Sequence, residues 1–398
     1  MGKKVAIVSG HFMPEIGYQE VHLAKSFVKI GYETRVFSST VLSPNGKSII
    51  NSNYKSGLSF DHRYGYSICR FNPVFSFGAV VIVKELVKAI DEFNPDYIII
   101  IGIAKLFPLK ILSKEIYHKY KIINIFGDSY QQINQFGLIR RNVYRVYHRI
   151  LKYWLYNRVV DLSHRIILNL PETKKIFIDT ISRNRLNEFE NKSFLLHLGY
   201  DSDSFFFDHK LREKIRFKEK IKKNETVFIT TTRVNPLKKI DVIINEIAIL
   251  KKADLKVKYI IIGFQNDDYS NQLKSYISKK GLENNVICLP FLSHKKIRGY
   301  YCASDIGIWT QPAISIQEAL GTGLPVICLK GKAISHVIKQ NKNGWVKIKN
   351  ITSRLQKSIK EINNKKSIFN KRHRLERSLK IFDTLSYDNV SKKILNDL

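Results

Sequence analysis

The sequence predicts an α/β protein with two doubly wound, Rossmann-like domains that face each other across a cleft. Two observations carry this prediction. Apolar runs of strand length alternate with segments of helical length, and the whole series occurs twice along the 398 residues. Strands that are apolar on both faces belong to parallel sheets covered by helices on both sides. A chain of this length also exceeds one ordinary domain and suits two.

The first series fills the N-terminal half, for which we predict a domain over residues 1–200. Its first helix candidate, EVHLAKSFVKIG, carries apolar residues every three or four positions and should stop at Gly31. The predicted strands of this half are Val5–Gly10, Thr34–Ser39, Asp96–Ile101, Lys121–Phe126 and Arg165–Leu170.

The second series predicts a domain over residues 201–382. It follows a charged stretch without an apolar pattern, LREKIRFKEKIKKNE, and residues 383–398 should form a helix that returns toward the first domain. Ligands of open parallel sheets bind beyond the carboxyl ends of the strands, so the cleft between two such edges is the expected site. The predicted strands are Val227–Thr232, Lys258–Phe264, Asn285–Phe291, Asp305–Thr310 and Pro325–Lys330.

The net charge of +33 indicates a polyanionic partner, such as nucleic acid, an anionic membrane surface or a phosphorylated substrate. A coding bias toward Lys, Ile and Asn is the alternative explanation. Four cysteines lie far apart without a CxxC pair, which argues against a disulfide or zinc framework. The longest apolar run, Tyr97–Ala104, is far shorter than the about 20 residues of a spanning helix, and no cleavable leader is visible. We therefore expect a cytoplasmic protein.

The segment TTTRVNPLKK predicts an anion site. Arg233 follows a predicted strand directly, and Lys238 stands where a helical pattern begins. A guanidinium fork and an ammonium point charge together suit a diphosphate. The helix N-terminus would add free backbone N–H groups and the positive end of its dipole. A solvated basic turn is the alternative.

The segment WTQPAISIQEALGTGLPVI predicts a loop that leads into a helix with Glu318 in its first turn. Its loop amides would face a phosphate or a sugar, and Glu318 would accept hydrogen bonds from a ribose diol. The structural alternative is a capping box, because Ser315 precedes Glu318 by three residues.

The segment HFMPEIGYQEVHLAK follows the first predicted strand. Pro14 and Gly17 shape a loop before a helix that begins near Gln19. Backbone amides there would meet an anion or a sugar hydroxyl, and an ordinary strand-to-helix turn is the alternative.

These three segments, in this order and spacing, resemble the retaining glycosyltransferases of family 4, which have the GT-B architecture. LGYDSDSFF resembles the interdomain segment of that family, and KQNKNGWVKI resembles its late Asn-Gly turn, so the likeness covers nearly the whole chain. It implies a hexosyl-type enzyme that moves a sugar from a nucleotide-diphosphate donor to a hydroxyl of a glycan or polyprenyl-pyrophosphate-linked acceptor. The first domain would hold the acceptor side, and the setting would be lipopolysaccharide or capsule synthesis.

By this resemblance Arg233 and Lys238 hold the donor diphosphate, and Glu318 holds the nucleotide ribose. Gly17 stands beside the donor phosphate or the transferred sugar. The backbone amides of Ser315 and Ile316 would also face the diphosphate. The donor-binding residues so implied are Gly17, Arg233, Lys238, Ser315, Ile316 and Glu318.

Three departures from the family pattern concern the transferred sugar. Thr310 stands eight residues before Glu318, where the family usually has another glutamate, and TQPA replaces Glu-Gly-Phe-Gly. Tyr18 stands where a second glycine is common. These departures leave the contacts to the sugar unassigned.

The family often has a histidine or similar group after a strand of the first domain, and the segment NIFGDSYQQ resembles that place, so the resemblance implies Asp128 as the candidate on the acceptor side. It follows the predicted strand Lys121–Phe126, and it would orient or deprotonate the acceptor hydroxyl. A polar turn residue after Gly127 is the alternative. Asp201 and Asp203 have the spacing of a metal-binding Asp-x-Asp motif, but they lie in the interdomain segment, so we predict a linker turn. Neither a metal nor a further cofactor is expected.

The stretch LIRRNVYRVYHRILKYWLYNR predicts a two-faced helix at about 100° per residue. Its apolar face would comprise Ile139, Val143, Val146, Ile150 and Trp154. Its basic face would contact anionic lipid or a lipid-linked pyrophosphate at the inner face of the cell membrane. A surface helix packed on its own sheet is the alternative. The predicted basic face comprises Arg141, Arg145, Arg149 and Lys152.

Three other functions remain open. A catalytically silent, glycosyltransferase-like partner subunit would keep this fold without transfer. A basic nucleic-acid-binding protein would explain the charge, but the sequence has no helix-turn-helix, zinc or RNP-type signal, so no nucleic-acid partner is expected. A sugar-nucleotide epimerase would consume donor without an acceptor.

Overall fold

The computed structural model describes residues 2–15, 18–42, 54–78, 80–128, 150, 152–330, 334–346 and 348–396. The chain forms two compact units, Met1–Leu198 with Tyr387–Leu398, and Gly199–Ser386. Both are α/β units with mainly parallel sheets, so the predicted α/β fold class is confirmed.

The first unit contains an eight-stranded sheet in the order β10-β9-β8-β7-β1-β2-β4-β3. Neighbouring strands pair in parallel except β3, which runs antiparallel to β4 at the edge. All five predicted strands are present, and β3, β4, β10 and the hairpin of β5 and β6 were missed. The strands are β1 (Lys4–Ser9), β2 (Glu33–Ser39), β3 (Gly57–Asp61), β4 (Tyr66–Phe71), β5 (Phe75–Phe77), β6 (Val80–Ile82), β7 (Tyr97–Ile101), β8 (Lys121–Phe126), β9 (Arg165–Leu168) and β10 (Ser193–Leu195).

The second unit contains a six-stranded, all-parallel sheet in the order β13-β12-β11-β14-β15-β16. The five predicted strands are present, and a sixth follows the predicted Asn-Gly turn. The strands are β11 (Thr226–Thr231), β12 (Val257–Phe264), β13 (Val286–Pro290), β14 (Ile306–Trp309), β15 (Val326–Cys328) and β16 (Gly344–Trp345).

The first helix, α1 (Gln19–Lys29), forms where the apolar periodicity predicted it. The first helix buries Val21, Leu23, Ala24 and Phe27, and the chain leaves it through Gly31 at φ 97°, a left-handed conformation that glycine adopts without strain. The helices before the second unit are α1 (Gln19–Lys29), α2 (Leu86–Phe93), α3 (Lys114–Lys119), α4 (Tyr153–Asp161), α5 (Pro171–Thr180) and α6 (Leu186–Lys192).

The helices of the second unit are α7 (His209–Lys218), α8 (Ile240–Lys252), α9 (Asp268–Lys279), α10 (His294–Ala303), α11 (Ser315–Gly321), α12 (Ile351–Asn363) and α13 (Arg374–Leu385). Short 3₁₀ helices span Ile103–Lys105, Leu109–Ile111, Arg183–Arg185, Pro236–Lys238 and Lys371–His373. Among the described residues, no helix is long and apolar enough to cross a membrane.

The first part of the charged stretch before the second series belongs to a helix, α7, which ends at Lys218. Its anchor is electrostatic. Arg212 donates to Asp305 at 2.7 Å, and Arg216 lies 3.4 Å from the other carboxylate oxygen. The Asp305 side chain is fully buried, and its pKa is lowered by these cations and by a backbone N–H, which together outweigh its burial. Apolar periodicity cannot reveal a helix that is held by ion pairs.

The chain leaves the first unit after Leu198 and returns to it after Ser386. The returning helix, α14 (Tyr387–Leu395), packs on α1 of the first unit. Asp388 lies 2.8 Å from the Lys29 ammonium, and Tyr387 stacks on His22. Residues 383–386 belong to the second unit rather than to the returning helix.

Candidate functional site

The segment with the two predicted cations leaves the carboxyl end of β11. The Thr232 amide donates to the Ile262 carbonyl at 3.0 Å, so the chain runs close to β12 before Arg233. Gly263 has φ 116°, and a Cβ on it would lie 1.9 Å from the Thr232 carbonyl oxygen. Only glycine permits this approach, which sets the exit of the chain toward the exposed Arg233.

Lys238 ends the 3₁₀ helix Pro236–Lys238, and the chain enters α8 through Lys239 at φ 44°. The Lys238 side chain is half-buried, and burial lowers the pKa of its ammonium. Within the described part of the chain, no ion pair involves Lys238. A partly desolvated ammonium without a carboxylate partner is suited to an anionic ligand.

Two neutral side chains from the exit of β14 hold this turn. Thr310 donates its hydroxyl to the Lys238 carbonyl at 2.6 Å, and Gln311 donates its amide to the Leu237 carbonyl at 2.7 Å. Thr310 is held in turn, because its carbonyl accepts the Lys330 amide at 3.0 Å. The sequence showed these residues only as departures from the family pattern and indicated no contact with Lys238.

The last residue of β11, Thr231, is the centre of a buried hydrogen-bond network. Its carbonyl accepts from Trp309 Nε1 at 3.1 Å and from the Ser315 hydroxyl at 2.8 Å. Its hydroxyl bonds the Tyr301 hydroxyl, which also donates to the Ser315 carbonyl at 3.1 Å. The network ties the start of α11 to β11. A small cavity next to it is lined by Thr230, Thr232, Lys238, Ile240, Trp309, Thr310, Gln311 and Ala313.

The capping-box interpretation of α11 is wrong. Ile314 holds the N-cap position, no side chain caps the helix, and the Ser315 hydroxyl is used on Thr231. The Ile316 amide donates to the Ala313 carbonyl at 3.1 Å. It would have to leave this turn to meet a phosphate, and its side chain is buried in the core.

Glu318 lies in the first turn of α11, as predicted, and is partly buried. Its pKa is raised to about 7, chiefly by burial and also by the negative charge of Asp201, and the polar Tyr301 hydroxyl opposes the shift. A carboxyl whose ionised form the fold disfavours is a candidate for function. Glu318 could accept hydrogen bonds from a pair of ligand hydroxyls.

Asp201 forms a turn, as predicted for the Asp-x-Asp segment. Its carboxylate accepts from the Asp203 amide at 3.2 Å and from the Ser204 hydroxyl at 2.8 Å. In the part of the chain that the structure describes, no three His, Cys, Asp or Glu side chains lie close enough to hold a metal ion.

In the first unit, Asp128 follows β8 and is bonded to two residues around α4. The Tyr156 hydroxyl donates to its carboxylate, and the Lys152 ammonium lies 3.3 Å away. The backbone carbonyl of Asp128 accepts from the Thr173 hydroxyl at 2.8 Å. This pairing holds the carboxylate in one orientation at the carboxyl end of the sheet.

The placement of Lys152 on an exposed basic face is wrong. Its side chain is only 9% exposed, and burial lowers the pKa of its ammonium in spite of Asp128. Ile150 and Trp154, expected on the buried face, are 70% and 46% exposed. In the described part of this stretch, α4 therefore presents a different face to the core than the 100° projection predicted, because it buries Leu155, Tyr156, Val159 and Val160. Four further predicted residues, Gly17, Arg141, Arg145 and Arg149, lie outside the described residues.

The comparisons with known proteins agree with this architecture. The family model "Glycosyl transferases group 1" matches residues 211–380. The amylovoran biosynthesis glycosyltransferase AmsK of Erwinia amylovora is 28% identical over 128 residues, which span 30% of this chain and only 31% of AmsK.

Solved structures match over almost the whole length. Anabaena HepE in complex with UDP has a TM-score of 0.68 at 17% identity, covering 98% of both chains. A glycosyltransferase from Rickettsia africae has a TM-score of 0.66 at 14% identity, covering 100% of both. The chain therefore has the GT-B fold of these structures, and the match to the glycosyl transferases group 1 model lies within its second unit.

Proposed function

We propose that this protein is a glycosyltransferase that takes its sugar from a nucleotide-diphosphate donor held by the second unit. The observation that carries the proposal is the turn between β11 and α8. It brings Arg233 and the half-buried Lys238, which forms no ion pair with any described residue, to the carboxyl end of the sheet. Both lie inside the part of the chain that matches the glycosyl transferases group 1 model. The likeness to HepE, solved with UDP and with UDP-glucose, supports a nucleotide sugar as the ligand.

The proposed chemistry needs two fixed cations. When the bond between the anomeric carbon and the donor phosphate breaks, negative charge builds on the leaving diphosphate. Arg233 and Lys238 would stabilise that charge, since preorganised cations act most strongly where charge develops. Glu318 would accept the ribose hydroxyls, and the Ser315 amide would face the diphosphate. We propose hexosyl transfer with retention, and neither metal nor further cofactor.

Asp128 is the proposed residue on the acceptor side. Its carboxylate already accepts a hydrogen bond from the Tyr156 hydroxyl and lies 3.3 Å from the Lys152 ammonium, so two partners hold it in place. We therefore propose that it orients the acceptor hydroxyl. The likeness to an amylovoran biosynthesis enzyme supports a glycan or polyprenyl-pyrophosphate-linked acceptor in cell-surface polysaccharide synthesis.

We propose that the enzyme works at the inner face of the cell membrane. Ile150, just before α4, and Tyr153 and Trp154, in its first turn, are exposed, and in the sequence they follow the predicted basic residues Arg141 and Arg145. Aromatic side chains beside cations suit the interface of an anionic bilayer. Wild type should co-sediment with anionic but not with neutral vesicles, and a variant with both arginines changed to Glu should not. Equal sedimentation of both proteins with both vesicles would contradict the proposal.

The donor site is tested by thermal unfolding with UDP, GDP, ADP and CMP, each added separately. A ligand at a hundred times its dissociation constant adds about 2.7 kcal/mol to the folded state. One nucleotide should stabilise wild type and the exposed control Arg372→Ala, but not Arg233→Ala. With an acceptor in hand, the rate of Arg233→Ala should fall by on the order of 10²–10³. If no nucleotide stabilises wild type, the donor site is refuted and the silent-partner alternative gains.

A further inference from the structure

The residue at position 310 bonds the backbone of the turn that carries Lys238. The Thr310 hydroxyl donates to the Lys238 carbonyl at 2.6 Å, and Gln311 Nε2 donates to the Leu237 carbonyl at 2.7 Å. Both bonds run from the exit of β14 to the turn after β11, 72 and 74 residues apart in the chain. Thr310 is 7% exposed, so its bond is shielded from water.

The two carbonyls need an external donor because the turn is so short. The 3₁₀ helix Pro236–Lys238 bonds internally only from the Lys238 amide to Asn235 at 3.0 Å and from the Lys239 amide to Pro236 at 3.2 Å. The left-handed Lys239 then redirects the chain into α8, and the last carbonyls of a short helix have no partner within it. Threonine and glutamine can donate a hydrogen, whereas an ionised glutamate only accepts.

We propose that Thr310 and Gln311 are positioning residues that lock the Lys238 turn and so fix the ammonium that binds the donor diphosphate. This inference rests on the proposed function. It also gives the departure at position 310 a physical meaning: a glutamate there would present a carboxylate to the carbonyl oxygen of Lys238, and the turn would lose its anchor. The substitution is thus a change in how the diphosphate site is held, not a loss of that site.

The lock should be visible without any ligand. Amide hydrogen exchange across residues 233–240 should be faster in Thr310→Val than in wild type, and Thr310→Ser should restore the slow exchange. The matched control is Thr352→Val, because the Thr352 hydroxyl donates to Glu246 at the same 2.6 Å within the same unit, between α12 and α8. It should leave exchange in the Lys238 turn unchanged. Equal exchange in Thr310→Val and wild type would overturn the proposal.

The link to the ligand is tested by the dissociation constant of the nucleoside diphosphate that stabilises wild type. Loss of one hydrogen bond should weaken binding about fivefold to tenfold in Thr310→Val, and not in Thr310→Ser or Thr352→Val. Thr310→Glu should weaken binding at least as much.

A double-mutant cycle separates positioning from general stability. If Thr310 acts through the ammonium, Thr310→Val in a Lys238→Met background should change the dissociation constant by less than about twofold. A full fivefold to tenfold loss in that background would refute the positioning role. If wild type binds no nucleoside diphosphate, the proposed function fails, while the exchange experiment still decides whether the lock exists.

Discussion

Glu318→Gln should make the ligand-free protein more stable at pH 8 and should weaken nucleotide binding at the same time. The carboxyl is partly buried at the first turn of α11, and its pKa of about 7 shows that the fold opposes its charge. Burial is the main cause, and Asp201 adds a like charge. A glutamine of the same shape removes that charge and keeps one acceptor oxygen for a ribose hydroxyl.

The magnitude follows from the pKa. The folded value of about 7 lies above the ordinary 4.5. At 1.36 kcal/mol for each pH unit, this difference corresponds to about 3.4 kcal/mol for a fully shielded group. Glu318 is partly exposed, so we expect about half, roughly 1.5–2 kcal/mol. Because the folded pKa is raised, the stabilising contribution is fully present below pH 4.5 and is lost as the pH rises through about 7.

The assay is thermal unfolding of wild type and Glu318→Gln between pH 5 and pH 8. The two Tm values should nearly agree at pH 5, and the variant should melt about 3–8 °C higher at pH 8. Added nucleotide should raise the Tm of wild type more than that of the variant. A residue that costs stability and improves binding is what selection for function produces.

Glu361→Gln is the matched control. The Glu361 carboxylate accepts a hydrogen bond from the Arg354 guanidinium at 2.7 Å, and this positive partner favours a negative charge at position 361. This variant should not melt higher than wild type at any pH. The reasoning on Glu318 is refuted if the Tm gap does not grow with pH, or if Glu361→Gln shows the same gap.

Two further substitutions test the frame around the site. Gly263→Ala should lower the free energy of unfolding in chemical denaturation by about 2–4 kcal/mol, because the new Cβ would lie 1.9 Å from the Thr232 carbonyl oxygen. The variant should also lose nucleotide binding, and retained binding would contradict this prediction. Asp305→Ala should lower the free energy of unfolding by about 3–5 kcal/mol, because it leaves the buried ends of Arg212 and Arg216 without a carboxylate. A loss below about 1 kcal/mol would show that the ion pairs do not anchor α7.

The amino-acid pattern alone predicted most of the strands. In β11, β12 and β14, apolar residues on both faces mark a parallel strand wherever it lies in the sheet. Strands with more polar or exposed residues were missed, such as β3, in which four of five residues are exposed. Helix α7 was missed because the residues that hold it are arginines. In the sequence they indicate a solvated surface, and only the fold shows that Arg212 and Arg216 pair with the buried Asp305.

The candidate site divides in the same way. The positions of Arg233, Lys238 and Glu318 after a strand end or near a helix start could be predicted, because local sequence specifies such positions, and their roles stay predictions. The burial of Lys152 could not be predicted, because a helical projection treats every cation as exposed and the partner, Asp128, lies on β8's exit 24 residues away.

Sequence by itself thus determined the α/β class, the two strand series and the residue types available to hold a diphosphate. Only the tertiary structure decided which of them act together. It brought Thr310 to the Lys238 carbonyl across 72 residues, set Ser315 on Thr231 instead of on its own helix, and paired Lys152 with Asp128. The physical reason is that strand and helix formation depends on neighbours along the chain, whereas hydrogen bonds and pKa values depend on whichever groups the folded chain brings within about 3 Å.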